Sequence, residues 1–164
     1  MKSFILAFFL SVVILAVTYK NNHVVSEDSQ FVSELYSNST EIIRVDTNFY
    51  FLETFLCRNL IDRGKTTSRS NLVALIYLVN AGNLQISTNI SITNLYFIKD
   101  QNVWISAPVD STNSNTPEFR LTKASSDGPE WDTGVQVDVI AEVKDNSTNI
   151  IYLLIARNQY FQEL

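Results

Sequence analysis

Two stretches of this sequence alternate apolar and polar residues with a period of two, which is the pattern of a β-strand with one buried face. The first stretch is residues 84–93. The second is residues 135–143, where Ile140 is the one apolar residue on the polar side. Strands of this kind occur in antiparallel sheets that cover a core with one face and meet solvent with the other. The alternation therefore predicts a mainly β protein.

Turn-forming residues separate further strand-like runs, at residues 80–83, 99–102 and 144–149. Short strands joined by tight turns predict an antiparallel meander. The predicted strands are residues 41–46, 49–57, 72–79, 84–93, 95–98, 103–108, 135–143 and 150–157. About eight strands are enough to close a β-barrel around one small ligand, and an open sheet or a sandwich is the alternative.

Two of these strands are apolar on both faces, namely residues 72–79 and 150–156. In an antiparallel domain the second face of such a strand needs a cover of its own. Residues 31–37, which form either a short helix or the lead-in to a strand, are one candidate cover, and another protein is the other candidate. The pattern thus predicts a partner protein as well as a core.

The N-terminal end is the most apolar part of the chain, with 14 apolar residues among residues 3–19 and lysines at positions 2 and 20. This pattern favours an uncleaved transmembrane anchor over residues 1–20, with a cleaved signal peptide as the alternative. We expect a polar stalk at 21–30 and a β-barrel domain at 31–164 outside the cytoplasm. The net charge of −5 argues against direct nucleic-acid binding.

Residues for catalysis or metal binding are sparse. His23 is the only histidine and lies in the predicted stalk, and Cys57 is the only cysteine. No catalytic triad or zinc-ligand set can be built from them. The acidic group of Asp127, Glu130 and Asp132 lies in a polar segment that favours solvation over catalysis. We expect no enzyme activity and no cofactor, and we interpret Cys57 as a buried apolar residue, with an intermolecular disulfide as the alternative.

Two long segments do not fit hairpins, namely residues 58–70, which are rich in cations, and residues 110–134. The second segment is polar but contains Trp131, a large aromatic residue. A loop of this length is usually functional or poorly ordered. We predict either a lid over a cavity mouth, a partner contact or a poorly ordered loop.

The segment Tyr96–Asp110 (YFIKDQNVWISAPVD) resembles part of the ToxS/VtrC-type family, the periplasmic partners of membrane-bound Vibrio transcription regulators. The order of parts is similar too: a short anchor, Arg-Val-Asp at residues 44–46, a β-meander, a Val-Asp-Val-Ile strand at 137–140 and a final apolar strand. The size and layout resemble the VtrC-type members of this family. The chain departs from the family pattern at Leu95–Phe97, where the family has a Gly-x-Trp lead.

The resemblance implies a lipocalin-like β-barrel completed by the periplasmic domain of a VtrA/ToxR-like transmembrane regulator. The resulting obligate heterodimer would sit at the inner membrane and bind a bile salt. Binding would activate the regulator and switch on virulence genes such as those for type III secretion. The alternatives are a ligand-independent stabiliser of a membrane regulator and a minor structural subunit of a pilus or secretion apparatus.

Within this interpretation two groups of residues are candidates for ligand contact, with ordinary core packing or a solvated loop as the alternative for each. The candidates for an apolar pocket are Tyr50, Leu52, Tyr77, Ile86, Phe97, Trp104, Val137 and Val139. The candidates for contact with the ligand's charged head group are Arg63, Lys65 and Arg69.

Overall fold

The computed structural model describes residues 24–58, 71–111, 116–126 and 128–163, and these residues form a mainly β structure. One helix, α1 (Ser29–Asn38), accompanies the strands in the described residues. The strands are β1 (Val24–Glu27), β2 (Ser39–Thr40), β3 (Ile43–Val45), β4 (Asn48–Arg58), β5 (Leu72–Asn80), β6 (Ile90–Lys99), β7 (Asn102–Ser106), β8 (Val109–Asp110), β9 (Arg120–Ser125), β10 (Gln136–Asp145) and β11 (Ile150–Glu163). The predicted β class is confirmed.

The strands belong to one sheet, strongly curled into a half-barrel, with the order β1-β7-β6-β10-β11-β4-β5-β9-β8. β2 pairs with β11 and β3 with β4, beside this path. Eight of the described strands are at least four residues long, which matches the predicted number, although β1 and β9 were not among the predicted strands. β1 and β8 stand at the two ends of the order, and each pairs with a strand on one side among the described residues.

The sheet is mixed, which corrects the prediction of a purely antiparallel meander. The end of β11 pairs in parallel with the end of β4, where Phe161 lies opposite Leu56. β2 is also parallel to β11. β11 runs on to Glu163, beyond the predicted end at residue 157, because a bulge near Asn158 turns the strand from β10 towards β4.

β6 is one continuous strand where the sequence predicted two, residues 84–93 and 95–98, so the predicted break at Asn94 was wrong. Ile92 faces Val143 and Asn94 faces Glu142 on β10, so Thr93 is an extra residue in the ladder. This bulge shifts the alternation by one residue, and Ile92 and Leu95 both point into the core although they are three positions apart. The change of phase that suggested two strands is therefore a bulge within one strand.

Residues 84–89 are not part of a strand, which corrects the first half of the predicted strand 84–93. Leu84 is 60% exposed, and the backbone N–H of Ile90 donates to the carbonyl of Ser87 at 3.0 Å. The Ser87 hydroxyl accepts from the backbone N–H of Asn89 at 3.2 Å. Short polar side chains that hydrogen-bond to the nearby backbone compete with the hydrogen bonds between strands. The alternating sequence of residues 84–89 therefore did not produce a strand.

The long segment 110–134 is not structureless in its described part, because it contains β9, which pairs with β5 along its whole length. Residues 128–135 then run across one end of the half-barrel. The N–H of Gly128 donates to the carbonyl of Leu72 at 3.0 Å, and Trp131 packs against the core. The Trp131 carbonyl also accepts a hydrogen bond from the Arg58 guanidinium. These contacts cover one end of the core, and the predicted roles of the segment as a lid over a cavity mouth or as a partner contact stay predictions.

Helix α1 covers the outer face of β6, β10 and β11. Asp28 caps its N-terminus, because its carboxylate accepts from the backbone N–H groups of Gln30 and Phe31 at 3.0 Å each. Val32 and Leu35 lie on one face of the helix and form the second core cluster. The sheet residues in this cluster are Ile98, Val103, Ile140 and Ile155. This cover explains why Ile140 broke the alternation of its strand. It is also the helical cover predicted for residues 150–156, but only at Leu153 and Ile155, because Ile151 is 53% exposed.

The predicted stalk at 21–30 includes residues that belong to this fold. β1 pairs with β7, with Val24 opposite Ile105 and Glu27 opposite Asn102, and α1 begins at Ser29. The predicted anchor at 1–20 lies outside the described residues. Within the described part of the chain no helix has the length and apolar character required to cross a membrane.

The turn between β10 and β11 depends on the charge of Asp145. Its carboxylate accepts from the Ser147 N–H at 2.9 Å and hydroxyl at 2.6 Å, and from the Thr148 hydroxyl at 2.8 Å. The hydrogen bonds from Ser147 and Thr148 lower the pKa of Asp145 below its usual 3.8. A carboxylate with a lowered pKa contributes stability above the pKa of the unfolded chain, and that contribution is lost as the pH falls through the folded pKa.

We therefore expect Asp145→Asn to be less stable than the wild type near neutral pH, and the difference to shrink as the pH drops below 3.8. Urea unfolding of both proteins between about pH 7 and about pH 3 measures it. Asp100→Asn is the matched control, since Asp100 is exposed in the turn between β6 and β7. A difference that grows towards acid pH would contradict the assignment.

Candidate functional site

Six of the predicted pocket residues lie together on the inner face of the curled sheet and form part of the main core. They are Tyr50, Leu52, Phe97, Trp104, Val137 and Val139. Phe97 on β6 stacks on Trp104 of β7, with the ring centroids 4.6 Å apart and the planes at 26°. Both side chains are at most 1% exposed. Solvent does not reach these rings, so in this structure they pack against protein atoms.

Tyr50 is the polar member of this group. Burial raises the pKa of its hydroxyl, and the carboxylates of Asp46 and Asp145 add to the effect. Ile86 also packs against the main core, but it does so from the irregular segment before β6 and not from a strand. Its N–H donates to the carbonyl of Glu118 at 3.0 Å. The structure thus brings seven of the eight apolar candidates to one core.

Tyr77 lies on the opposite face. On β5 the inward residues are Leu72, Ala74, Ile76 and Leu78, which are fully buried, so the odd-numbered residues point outward. The Tyr77 ring lies 5.5 Å from the Arg120 guanidinium carbon, and Arg120 forms an ion pair with Glu53 at 2.7 Å. These three residues form a polar border on the outer face and place Tyr77 away from the interior.

The three head-group candidates, Arg63, Lys65 and Arg69, lie outside the described residues. Of the described cations, Arg58 lies against the Phe161 ring, and Lys123 pairs with Asp110 at 2.5 Å. The proposal that a ligand's charged group meets residues 63–69 therefore stays a prediction.

The outer face of β4, β5, β9 and β8 carries a row of apolar residues, one from each strand. Phe55 lies opposite Leu75, Leu75 opposite Ala124, and Ala124 opposite Val109. Val109 is 65% exposed and Phe55 is 36% exposed. We call these four residues the outer row. α1 covers the outer face of the other half of the sheet, so the two halves differ in how their outer faces are buried.

Near α1, the carboxylate of Glu142 accepts hydrogen bonds from three uncharged side chains. Glu142 accepts from the hydroxyl of Thr93 at 2.6 Å, the amide of Asn94 at 3.2 Å and the hydroxyl of Tyr96 at 3.0 Å. Burial, followed by the neighbouring charge of Glu142, raises the pKa of Tyr96. Tyr96 also packs edge-on against Phe31 of the helix. The cluster joins the bulged part of β6 to β10, because its donors come from β6 and its acceptor from β10.

Cys57 is a buried free cysteine, and burial raises the pKa of its thiol. This placement agrees with the interpretation of Cys57 as an apolar residue and makes it a poor nucleophile. Glu130 and Asp132 are exposed, and Asp127 lies outside the described residues, as does His23. Among the residues described here, histidine, cysteine and carboxylate side chains form no group that could hold a metal ion.

Neither the outer row nor the Glu142 cluster was found from the sequence. Leu75 belongs to a strand apolar on both faces, which signalled an extra cover without saying which face would need it. Val109 and Ala124 come from the segment near residues 110–134 that gave no strand signal. The row exists because the register of four strands aligns these residues, and register is a tertiary property.

Comparison with known proteins gives no relative for this chain: no protein-family model matches it, and neither a curated protein nor a solved structure is significantly similar.

Proposed function

We propose that this chain is the accessory subunit of a membrane-bound heterodimeric receptor, paired with a VtrA/ToxR-like transmembrane transcription regulator. The observation that carries the proposal is the half-barrel itself, whose strand order ends at β1 and β8. Edge strands offer free backbone N–H and C=O groups to a further strand. The outer row supports it, because an apolar face next to an open edge is the kind of surface that partners cover.

In this proposal the partner completes a lipocalin-like barrel, and an amphipathic steroid such as a bile salt binds in the shared barrel. The interior side chains are packed in the isolated chain, with Phe97 and Trp104 stacked on each other. The ligand chamber would therefore form between the two proteins and not within this subunit alone. The subunit would be anchored in the inner membrane through residues 3–19, with its β domain in the periplasm and the DNA contact made by the regulator.

A second candidate function is favoured by one observation. A core whose largest members are at most 1% exposed has no need of a ligand. A subunit of this kind would stabilise its membrane partner without sensing a small molecule. The two candidates share the interface with the regulator and differ in whether the heterodimer binds a steroid.

The interface is tested by co-expressing the full chain with a single-span winged-helix regulator and measuring its capture from detergent extracts. Val109→Asp and Phe55→Asp place a charge on the outer row, and Leu84→Asp is the control, since Leu84 is exposed outside the row. We expect each row variant to weaken capture by about tenfold or more and the control to leave it unchanged. Equal capture by all three variants would show that the outer row is not part of the interface.

The ligand is tested by titrating taurocholate into the heterodimer and into the full chain alone. Heat measured with the heterodimer but not with the single chain supports the shared barrel. Heat from the single chain would contradict a chamber formed between two proteins. No heat from either sample would overturn the receptor proposal and leave the stabiliser.

A further inference from the structure

An open depression of about 770 Å³ lies outside the core, between α1, the turn from β6 to β7 and the bulged part of β11. Ligand sites in proteins commonly have volumes of about 300–1,000 Å³. The depression is separate from the outer row and from the interior residues on which the proposed function depends. Its walls include Tyr36, Lys99, Gln136, Asp138, Asn158 and Tyr160.

Asp138 connects three elements of this wall. One of its carboxylate oxygens accepts from the Tyr36 hydroxyl on α1 at 2.8 Å, and the other accepts from the backbone N–H of Asn158 at 2.6 Å. Burial and the hydrogen bond to Asp138 raise the pKa of Tyr36 to about 12, so this hydroxyl stays a donor. Asn158 has a positive φ of 55° at the bulge. The helix, β10 and β11 are thereby held in one arrangement around the depression.

Two side-chain amides in this wall have no partner within the described part of the chain. Gln136 and Asn158 are both exposed, and neither side-chain amide forms a hydrogen bond with a described residue. Each amide offers two N–H donors and a carbonyl acceptor. Gln136 lies directly opposite Tyr160 across the two strands, so an amide and an aromatic ring are side by side.

The ionic groups in the wall already have protein partners, and Lys99, Asp100 and Asp138 together leave the wall with a net negative charge. The Lys99 ammonium lies 3.8 Å from the carboxylate of Asp100, and Asp138 has a hydrogen bond on each oxygen. No unpaired cation from the described residues lines the depression, so nothing there selects an anion. The two tyrosines contribute flat apolar faces with a polar tip, and the Tyr160 side chain is 61% exposed.

We propose that this depression binds a neutral carbohydrate. A sugar presents hydroxyl groups that both donate and accept, which matches free side-chain amides, and a C–H face that packs on an aromatic ring. An uncharged ligand fits a wall in which both carboxylates and the ammonium already have protein partners and whose net negative charge disfavours an anion. The site would give this subunit a contact with glycans that is independent of any ligand in the barrel.

The test is saturation-transfer NMR with maltose as the probe, on the full chain in a zwitterionic detergent without a sugar head group. Gln136→Ala removes one amide. Asn158→Gly removes the other while keeping a residue that adopts positive φ and a backbone N–H for Asp138. Gln85→Ala is the matched control, because Gln85 is exposed away from the depression. We expect maltose signals with the wild type and the control, and about two- to tenfold weaker binding for each of the other two variants.

Three outcomes would overturn the proposal. One is the absence of transfer to maltose at about 10 mM, because a dissociation constant above this concentration is weaker than that of an ordinary binding site. Another is equal transfer in the wild type, Gln136→Ala and Asn158→Gly. The third is stronger transfer to glucuronate than to glucose, which would show that the wall selects an anion.

Discussion

Phe97→Ala should lower the free energy of unfolding by about 3–5 kcal/mol, the usual cost of removing a large side chain from a packed core. Phe97 is completely buried and stacks on Trp104, so the substitution removes both the transfer energy of the ring and its aromatic contact. Chemical unfolding of the full chain measures the loss.

Phe49→Ala is the matched control, because Phe49 is 49% exposed on β4 and its removal leaves no cavity. We expect a change of at most about 0.5 kcal/mol there. A loss below about 1 kcal/mol at Phe97 would contradict the packed core, because it would mean that the ring already adjoins empty space. The same pair of variants thus distinguishes a filled interior from a preformed ligand chamber.

Gly128→Ala should also destabilise the fold strongly, by about 1–3 kcal/mol for overpacking in a closed site. A Cβ at this position would lie 2.8 Å from Cζ3 of Trp104 and 2.9 Å from Cβ of Leu72, closer than such atoms approach. The neighbouring backbone is also held, because the Gly128 N–H donates to the Leu72 carbonyl at 3.0 Å. Thermal unfolding measures the effect as a lower melting temperature.

Gly82→Ala is the control in this case, since its Cβ would be 3.4 Å from the nearest atom, the side-chain oxygen of Asn80. The double variant Gly128→Ala/Trp104→Phe should be more stable than the sum of its single changes, because the smaller ring removes one of the clashing atoms. Additive losses would show that Trp104 does not cause the strain. Unchanged stability in Gly128→Ala would show that residues 128–135 do not close the end of the core.

The two strands that are apolar on both faces show what the sequence pattern can and cannot predict. Residues 150–156 were predicted to need a cover on their second face, and α1 supplies it at Ile155, while Ile151 is 53% exposed. Residues 72–79 gave the same signal, but their outer face carries the outer row, which no described helix covers. The need for a cover is local, whereas its source depends on which element the chain brings to that face.

Tyr77 on β5 and the two valines of β10 illustrate the same limit for the predicted site. β10 alternates between valine and polar residues, so the inward face was correctly predicted for Val137 and Val139. β5 is apolar at every position from Leu72 to Val79, so its two faces were equivalent by periodicity, and Tyr77 was assigned to the wrong one. Tertiary packing decided the face, because the small Ala74 and the aliphatic Ile76 fit the inside of the curled sheet.

The sequence by itself determined the β class, the positions of most strands and the inward residues of strands with a polar side, because these depend on side-chain periodicity within a few residues. Only the tertiary structure decided the bulges at Thr93 and Asn158, the parallel pairing of β11 with β4 and the alignment of the outer row. These features depend on hydrogen bonds between residues far apart in the chain, and a strand's own pattern leaves its register and its neighbours open.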